Sequence, residues 1–234
     1  MADTPGSIVI LTGAGISAES GLPTFRAADG LWEGHRIEDV ATPEAFARDP
    51  ALVQQFYNLR RAALKTVQPN AAHLALARLQ QEWPGRVTLI TQNVDDLHER
   101  AGSPQVLHMH GELLSARCLA CEKALLWADD LGPDSVCRRC RETGKLRPNI
   151  VWFDELPYYM EEIYTALARA DLFVAIGTSG KVYPAAGFVT SARLAGARTL
   201  EFNVQTSDVS DAFDQQRIGP ASIEVPRWAQ EMLG

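Results

Sequence analysis

Short apolar runs alternate along the chain with segments in which apolar residues recur at helical spacing. Bounded runs of about four to eight residues are typical of buried strands, and recurrence every three or four residues is typical of helices. The runs predict strands or extended segments at Ser7–Thr12, Val87–Thr91, Val106–Met109, Ile150–Phe153, Leu172–Ile176, Thr199–Val204 and Ser222–Val225. The helical spacing predicts helices at Pro43–Arg48 with Thr42 as its cap, Ala51–Val67, Asn70–Trp83, Tyr158–Ala170 and Ala185–Leu194, and a last helix that Pro226 opens.

Strands that alternate with helices indicate an α/β fold, a Rossmann-like, doubly wound parallel sheet covered on both faces. Two regions break the alternation, residues 27–69 and residues 113–147. We expect these insertions to form one smaller domain, a helical module together with a module that contains the cysteines. The larger Rossmann-like domain then comprises residues 1–26, 70–112 and 148–234.

Composition and charge narrow the class of protein. The 234 residues are 46% hydrophobic, enough for one large core with a small appended module. A formal net charge of −7 argues against nucleic acid as a partner, because binding of phosphates requires basic residues. The N-terminal residues lack the pattern of a signal peptide and the apolar runs are too short to span a membrane, so a cytoplasmic location is expected. No heptad pattern is evident, and we expect a monomer.

The four cysteines form two C-x2-C pairs separated by fifteen residues, and they are Cys118, Cys121, Cys137 and Cys140. This spacing is typical of a zinc ribbon; a redox pair or chance clustering is the alternative. Four thiolates complete a tetrahedron and leave no position for water. The sequence therefore predicts one structural Zn²⁺ ion.

A glycine loop follows the first predicted strand. Gly13, Gly15 and Ala18 fit the dinucleotide pattern G-x-G-x-x-A, in which backbone amides receive a pyrophosphate. A dehydrogenase would continue into a second strand ending in an acidic residue, and no such strand is evident here. The glycine and proline of the following GLPTFR segment instead predict a loop over the cofactor, with Phe25 and Arg26 projecting towards it.

Polar residues follow several of the predicted strands, where a doubly wound sheet binds its ligands. They are Gln92, Asn93 and Asp95, then His108 and His110, then Gly177, Thr178 and Ser179, and finally Asn203. Loop capping is the simpler interpretation of the asparagine and aspartate residues. Of the two histidines, His110 is the better candidate for a general base because it lies nearer the strand end.

Taken together, these motifs resemble those of the sirtuins, the NAD-dependent protein-lysine deacylases. GAGISAESGLPTFR, TQNVDDLH, HMHGE, the two cysteine pairs, VWF, GTS and EFN occur in family order over nearly the whole chain. The resemblance implies that His110 and Asn93 are catalytic and that Val151, Trp152 and Phe153 pair with an extended substrate. It also implies that the NAD contacts are Gly13, Ala14, Gly15, Phe25, Arg26, Gln92, Asn93, Asp95, Gly177, Ser179, Asn203 and Ala221.

The resemblance also implies the chemistry. The amide oxygen of an acylated lysine attacks C1′ of the nicotinamide ribose as nicotinamide leaves. His110 then removes a proton from a ribose hydroxyl, which attacks the imidate carbon. The products are free lysine, nicotinamide and O-acyl-ADP-ribose, and the partners are NAD and the acylated lysines of protein substrates.

Tyr57 and Arg60 indicate which acyl groups are accepted. Three residues apart on a predicted helix, they share a face, where a phenol and a guanidinium together can hold a carboxylate. This Y-x-x-R resembles the sirtuin branch that removes succinyl and malonyl groups, and Ala28 leaves room for the longer chain. We therefore expect removal of both acetyl and succinyl groups. Without the resemblance, a packed tyrosine and an exposed arginine would be the simpler interpretation.

Three alternatives stay open from the sequence. They are an NAD-dependent oxidoreductase, a zinc-ribbon interaction protein, and mono-ADP-ribosyl transfer as a side activity. Three residues depart from the family pattern. Asp154 stands where glycine is commoner, Gln205 stands where an acidic residue is frequent, and Asp96 adds a second carboxylate after Asp95.

Overall fold

The computed structural model describes residues 6–24, 31–32 and 34–234, and its centre is a six-stranded parallel sheet. The strands in chain order are β1 (Ser7–Thr12), β2 (Leu31–Trp32), β3 (His35–Arg36), β4 (Arg86–Thr91), β5 (Leu107–His108), β6 (Gly111–Cys118), β7 (Ala124–Leu126), β8 (Leu146–Ile150), β9 (Leu172–Ile176), β10 (Arg198–Asn203) and β11 (Gln215–Ile218). The α-helices are α1 (Ala14–Ala18), α2 (Ile37–Val40), α3 (Pro43–Arg48), α4 (Pro50–Leu64), α5 (Ala71–Glu82), α6 (Leu97–Arg100), α7 (Met160–Leu167), α8 (Phe188–Leu194) and α9 (Ala221–Leu233).

The order of strands in the large sheet is β11-β10-β9-β1-β4-β5, and every neighbouring pair is parallel. The chain builds outward from β1 through β4 to β5, then returns to the other side of β1 with β9. This reversal makes the carboxyl ends of β1 and β9 the switch point, where doubly wound sheets bind ligands. Thr12 aligns with Thr91 on one side and with Ile176 on the other, so these three strands end at the same level.

Helices bury both faces of this sheet. Leu76 and Leu79 of α5 and Trp228 of α9 pack on one face, while Ile163 of α7 and Phe188 of α8 pack on the other. All five residues of β9 are buried, as the uninterrupted apolar run Leu172–Ile176 predicts for a central parallel strand. The predicted fold class is therefore confirmed.

A smaller region lies beside the large sheet. It contains the antiparallel sheet β7-β6-β8 and helices α2, α3 and α4. Asn58 of α4 exchanges two hydrogen bonds with the main chain of Leu131, both at 2.9 Å, and Gln54 donates to the carbonyl of Leu146 at 3.2 Å. The two insertions therefore contact each other, while the exact domain boundaries stay a prediction.

Several predicted elements are confirmed almost residue for residue. The strands Ser7–Thr12 and Leu172–Ile176 and the helix Pro43–Arg48 have the predicted bounds. Thr42 caps α3 by accepting the Ala45 N–H at 3.0 Å, and Asn70 caps α5 by accepting the Ala72 N–H at 2.9 Å. Local side-chain chemistry decides these ends, which is why the sequence predicts them.

The prediction of a strand at Ser222–Val225, followed by a helix that Pro226 opens, is wrong. These residues belong to α9, which begins at Ala221 and contains Pro226 in its interior. The Glu19 carboxylate accepts both the main-chain N–H of Ser222, at 3.0 Å, and the Ser222 hydroxyl. A carboxylate at the first turn stabilises a helix N terminus, and here it comes from a residue 203 positions away. The sequence pattern of residues 221–226 cannot predict this contact, because Glu19 lies in a distant part of the chain.

The antiparallel strands β6, β7 and β8 are absent from the predicted elements. β8 reads LRPNI and is buried throughout, although two of its five residues are polar. Its Arg147 and Asn149 bond to Glu155 and Ser115, and these tertiary partners make their burial possible. Among the residues that the structure describes, no helix is both long and apolar enough to cross a bilayer.

Candidate functional site

The predicted cofactor residues collect along the carboxyl edge of the large sheet. Each follows, or ends, a different strand: Gly13 after β1, Gln92 after β4, His110 after β5, Gly177 after β9, Asn203 at the end of β10 and Ala221 after β11. Because the strands are parallel, residues that are far apart in sequence meet at this edge. Phe25, Arg26 and Ala28 lie outside the described residues.

The glycine loop packs directly on the loop after β9. The Gly15 N–H donates to the carbonyl of Gly177 at 2.9 Å, and a Cβ on Gly15 would lie 2.6 Å from the Gly177 Cα. Gly177 has φ +63°, and a Cβ there would lie 2.5 Å from the nitrogen of Ile16. These glycines are therefore required for contact between two loops of the protein, in addition to any approach by a phosphate.

Asn93 and Asp95 are joined through Ser17. The Asn93 side-chain amide donates to the Ser17 hydroxyl at 3.1 Å and to the carbonyl of Gly13 at 3.2 Å. The Ser17 hydroxyl in turn donates to Asp95 at 3.0 Å, and burial raises the pKa of that carboxyl. Since the amide nitrogen of Asn93 is engaged on the protein side, its side-chain oxygen is the group presented as an acceptor.

His110 lies half-buried just after β5, and its hydrogen bond defines its tautomer. Its Nδ1 is 3.2 Å from the carbonyl oxygen of Gln92, and since a carbonyl only accepts, Nδ1 carries the proton. Nε2 therefore presents a lone pair. Burial lowers the pKa of His110 below its ordinary value, against the opposing effect of the Gln92 carbonyl. A neutral imidazole with an accepting Nε2 is the form that a general base requires.

His108 has the opposite environment only two residues away. Its Nδ1 lies 3.1 Å from the carbonyl of Asn93 and its Nε2 lies 2.8 Å from the Glu99 carboxylate. Burial lowers the pKa of His108, but these two acceptors outweigh it and raise the pKa overall. With both nitrogens donating, His108 is suited to a charged role that fixes the main chain of Asn93.

Stability should depend on pH through the His108–Glu99 pair. A raised folded-state pKa gives stability that is present below about pH 6.5, the ordinary histidine value, and that is lost as the pH rises through the folded value. We expect Glu99→Gln to lower the free energy of unfolding by about 1 kcal/mol near pH 6 and by much less near pH 9. Denaturant titrations across this range measure the difference, with Glu161→Gln on α7 as an exposed control. A difference that stays constant with pH would contradict this role.

The segment Val151–Phe153 connects the site to the smaller region. The Val151 N–H donates to the carbonyl of His110 at 2.9 Å, the Trp152 N–H donates to Glu155 at 2.9 Å, and the Phe153 N–H donates to the carbonyl of Ala41 at 3.0 Å. All three N–H groups are thus bonded within the protein. An incoming extended peptide can therefore pair with this segment by donating its own N–H groups to the carbonyl oxygens of the segment.

Tyr57 and Arg60 lie together on α4, as their spacing predicts. Tyr57 is completely buried, its hydroxyl accepts a hydrogen bond from the Trp152 indole at 2.9 Å, and burial raises the pKa of its phenol well above the ordinary value. The positive charge of Arg60 acts on the Tyr57 phenol and opposes this shift. A neutral phenol beside a guanidinium, next to the segment Val151–Phe153, is a suitable pair of donors for a carboxylate.

The loops after β9 and β10 are tied together. Asn203 donates from its side-chain amide to the carbonyl of Thr178 at 2.7 Å. The carbonyl of Ser179 accepts the Asp208 N–H at 3.2 Å, and the Ser179 hydroxyl accepts the Lys181 N–H at 3.3 Å. The buried Ala221 begins α9 at the same edge of the sheet. Ser179, Asn203 and Ala221 therefore lie at the same edge of the sheet as the glycine loop.

The structure accounts for two of the three departures from the family pattern. Asp154 has φ +70°, a left-handed conformation that glycine adopts most readily and that aspartate tolerates better than most residues. Asp96 lies 3.6 Å from Arg100, which in turn donates to the carbonyl of Val67. Asp96 thus forms an ion pair with an arginine of α6. Nothing in the structure explains Gln205.

The four cysteines converge in the smaller region. Their sulfur atoms lie within 4.8 Å of one another, with Cys118 Sγ to Cys140 Sγ at 3.6 Å and Cys121 Sγ to Cys137 Sγ at 3.9 Å. Zinc–sulfur bonds of about 2.3 Å place the corners of a tetrahedron about 3.8 Å apart. A disulfide would need about 2.05 Å, and all four cysteines are free. The cluster therefore fits a structural zinc ion with four thiolate ligands.

Loss of one ligand should abolish metal binding and unfold the zinc module. Structural zinc contributes about 10–16 kcal/mol in small modules, more than such a module can replace by packing. We expect Cys121→Ser to reduce zinc content from about one per chain to near zero and to lower the melting temperature. Elemental analysis and thermal denaturation measure both, with the exposed Glu142→Gln as a control. A metal-free variant that melts like the wild type would exclude a structural role.

Sequence patterns missed three residues that shape the site. Ser17 lies inside the glycine motif but has no spacing that marks it as the link between Asn93 and Asp95. Arg147 and Glu155 form a bidentate pair next to Trp152, at 2.7 and 2.9 Å. The sequence indicated Ser17 only as a polar residue beside the apolar Ile16. Arg147 and Glu155 belong to different elements, so no local sequence pattern marks them as an ion pair.

Known proteins share both the sequence and this architecture. The family model described as the Sir2 family matches residues 13–184. A protein of Vibrio parahaemolyticus named NAD-dependent protein deacylase is 59% identical over 229 residues, 97% of this chain and 95% of that protein. A protein of Escherichia coli (strain K12) with the same name is 58% identical over 228 residues, 97% of this chain and 82% of that protein.

Solved structures agree with these relatives. The crystal structure of a Sir2 homologue–NAD complex has a TM-score of 0.88 at 38% identity, covering 98% of this chain and 91% of that one. A Sir2 complex with the inhibitor EX-527, 2′-O-acetyl-ADP-ribose and a deacetylated p53 peptide has a TM-score of 0.81 at 29% identity, covering 97% of this chain and 94% of that one. With these likenesses along nearly its whole length, the chain belongs to the Sir2 family, the sirtuins, as its motifs predict.

Proposed function

We propose that this protein is an NAD-dependent protein-lysine deacylase that transfers the acyl group of a modified lysine to the ADP-ribose part of NAD. The names of its relatives support this activity. In this chain, the proposal depends on the hydrogen-bonding state of His110. Its Nδ1–H is bonded to the Gln92 carbonyl, so its Nε2 is the accepting nitrogen, at the sheet edge where the glycine loop and Asn93 also lie.

The residues at the carboxyl edge fit a dinucleotide. Gly13, Ala14 and Gly15 would receive its diphosphate, with Phe25 and Arg26 of the following loop over the nicotinamide ribose. Gln92, Asn93 and Asp95 would contact its carboxamide and ribose, and Gly177, Ser179, Asn203 and Ala221 would contact its other half. When bound, NAD supplies a ribose carbon that becomes electrophilic as nicotinamide departs.

His110 and Asn93 have separate tasks in this proposal. The Asn93 side-chain oxygen would accept a hydrogen bond from a ribose hydroxyl, because the amide nitrogen is held by Ser17 and Gly13. His110 would accept a proton from a ribose hydroxyl at Nε2, and the deprotonated hydroxyl would then be the nucleophile. Its lowered pKa keeps the imidazole neutral near pH 7, the form in which it accepts a proton.

The acyl-lysine substrate would enter beside Val151–Phe153 and pair with the carbonyl oxygens of that segment. Tyr57 and Arg60 would hold the carboxylate of a succinyl or malonyl group, with Ala28 leaving room for the chain. Neutral acetyl groups need no such partner. The proposal therefore includes both deacetylation and the removal of acidic acyl groups.

Product analysis tests this function. The protein is incubated with NAD and with acetyl-lysine or succinyl-lysine peptides, and the products are identified by mass spectrometry. We expect deacylated peptide, nicotinamide and O-acyl-ADP-ribose in equal amounts. Formation of NADH would indicate an oxidoreductase instead, and ADP-ribosylated peptide would indicate transfer to protein. Absence of nicotinamide release with either peptide would exclude the proposed function.

We also propose that the enzyme acts as a monomer in the cytoplasm. Four cysteine thiols arranged as metal ligands are typical of reducing compartments. Light scattering coupled to size exclusion checks the first point, with 25.6 kDa expected for one chain. Fractionation of cells that express the protein checks the second.

A further inference from the structure

A buried ion pair holds the substrate segment in place. Arg147 of β8 donates to Glu155 through two nitrogens, at 2.7 and 2.9 Å, and also to the carbonyl of Ile150 at 2.7 Å. Glu155 additionally accepts the main-chain N–H of Trp152 at 2.9 Å. The side chains are 9% and 27% exposed, so the pair is largely shielded from water. We call this pair the Arg147–Glu155 clamp.

Arg147 of the clamp also packs against the Trp152 indole. The guanidinium carbon of Arg147 lies 3.5 Å from the centre of the indole, against one face of the ring. Phe46 packs on the indole as well, with centroids 5.4 Å apart. Trp152 is 3% exposed. An indole fixed by a stacked cation, by an aromatic neighbour and by its own main-chain N–H has little freedom to turn.

The fixed indole determines how the Tyr57 hydroxyl is oriented. An indole N–H can only donate, so the Tyr57 oxygen is the acceptor in the 2.9 Å bond between them. The phenol proton must therefore point away from Trp152. Because burial keeps the phenol neutral, Tyr57 acts as a hydrogen-bond donor in that direction.

A stabilising role alone does not explain the ion pair. Replacement of buried ion pairs by apolar residues is often neutral or favourable, because charges lose their hydration on burial. What such a pair supplies is fixed geometry, through two parallel hydrogen bonds. Here the fixed element is the segment that carries Trp152 and that also bonds to the main chain of His110 through Val151.

We propose that Arg147 and Glu155 are positioning residues that set the acyl selectivity of the site, by holding Trp152 so that Tyr57 directs its proton at a carboxylate on the acyl group. This inference rests on the proposed function, because it needs the acyl chain to lie beside Tyr57 and Arg60. An acetyl group has no carboxylate and gains nothing from this arrangement. The clamp therefore affects acidic acyl groups more than neutral ones.

Steady-state kinetics of Glu155→Gln test the proposal. This variant retains the shape of residue 155 but loses the charge, and we expect the ratio of kcat/KM for succinyl over acetyl peptides to fall about tenfold. The loss should lie mainly in KM for the succinyl peptide, since a binding contact is weakened. Arg147→Lys retains the charge without the bidentate geometry and should lower the same ratio. Glu82→Gln, which breaks the exposed pair with Arg78, is the matched control.

A double-variant cycle separates positioning from general destabilisation. If the clamp acts through Tyr57, Glu155→Gln should lower the ratio in the wild type but have little further effect in Tyr57→Phe. The proposal would be overturned if both clamp variants lost kcat/KM equally for the succinyl and acetyl peptides. It would also be overturned if Glu155→Gln lowered the ratio in Tyr57→Phe as much as in the wild type. A wild-type enzyme that removes acetyl but not succinyl groups would likewise overturn it. Absence of nicotinamide release with either peptide would instead refute the proposed function itself.

Discussion

Replacement of His110 by Ala should lower kcat for deacylation by about 10²- to 10⁴-fold, the usual contribution of a general base. The physical reason is the loss of the accepting Nε2, which the bond from Nδ1 to the Gln92 carbonyl makes available. Turnover of acetyl and succinyl peptides should fall together, since the proton transfer is common to both. Single-turnover measurement of deacylated peptide gives the size of the effect.

His110→Asn is the sharper variant. An asparagine amide can still donate to the Gln92 carbonyl from a position close to that of Nδ1, but it cannot accept a proton. We therefore expect the same loss as with alanine. Because the proton transfer follows departure of nicotinamide, exchange of labelled nicotinamide into NAD should continue in both variants. An asparagine variant with near wild-type turnover would mean that His110 positions the Gln92 loop and is not the base.

The pH profile gives a second check on the same residue. A base acts in its neutral form, and burial lowers the pKa of His110 below the ordinary histidine value. The acid limb of kcat/KM reports the base of the free enzyme, so its midpoint should lie below about pH 6.5. A midpoint above that value would contradict the environment seen for His110.

Arg60→Met should reduce kcat/KM for succinyl peptides by about 10- to 150-fold relative to acetyl peptides. A hydrogen bond to a charged group contributes about 1.5–3 kcal/mol, and each 1.4 kcal/mol is a factor of ten. Methionine retains most of the length and apolar character of the arginine stem while removing its charge. The measurement is a paired comparison of the two peptides at equal enzyme concentration.

Two further variants, one at Arg60 and one at a distant arginine, serve as comparisons for Arg60→Met. Arg60→Lys retains the charge but offers a point donor in place of a planar fork, and it should give an intermediate ratio. Arg78→Met on α5 removes an exposed arginine far along the chain and should leave the ratio unchanged. If Arg60→Met leaves the succinyl-to-acetyl ratio of kcat/KM at its wild-type value, the acidic acyl specificity has to be abandoned.

Much of the fold could be predicted because local chemistry decides it. The apolar run Leu172–Ile176 is buried on both faces as a central parallel strand must be, and Thr42 and Asn70 cap the helices that follow them. Where the deciding contact is distant, prediction fails. α9 begins at Ala221 because the Glu19 carboxylate holds Ser222, and no pattern within residues 221–226 contains that contact.

The candidate site divides in the same way. Polar residues directly after buried strands could be predicted to meet at one edge, because parallel strands bring their carboxyl ends together. The position of His110 nearer the strand end favoured it over His108 as the base, but the motif HMHGE does not show how the environments of the two histidines differ. Burial lowers the pKa of His110 while the Gln92 carbonyl leaves its Nε2 as the acceptor, whereas the Glu99 carboxylate raises the pKa of His108, and both partners come from other elements.

The sequence by itself determined the class of fold, the four metal ligands and the residues at the carboxyl edge, since apolar runs, cysteine spacing and strand-end positions are all local properties. Only the tertiary structure decided which tautomer His110 adopts, how Ser17 links Asn93 to Asp95, and how Arg147 and Glu155 hold Trp152 against Tyr57. The physical reason is that hydrogen bonds between distant elements fix proton positions and side-chain orientation, and such bonds form only when the chain is folded.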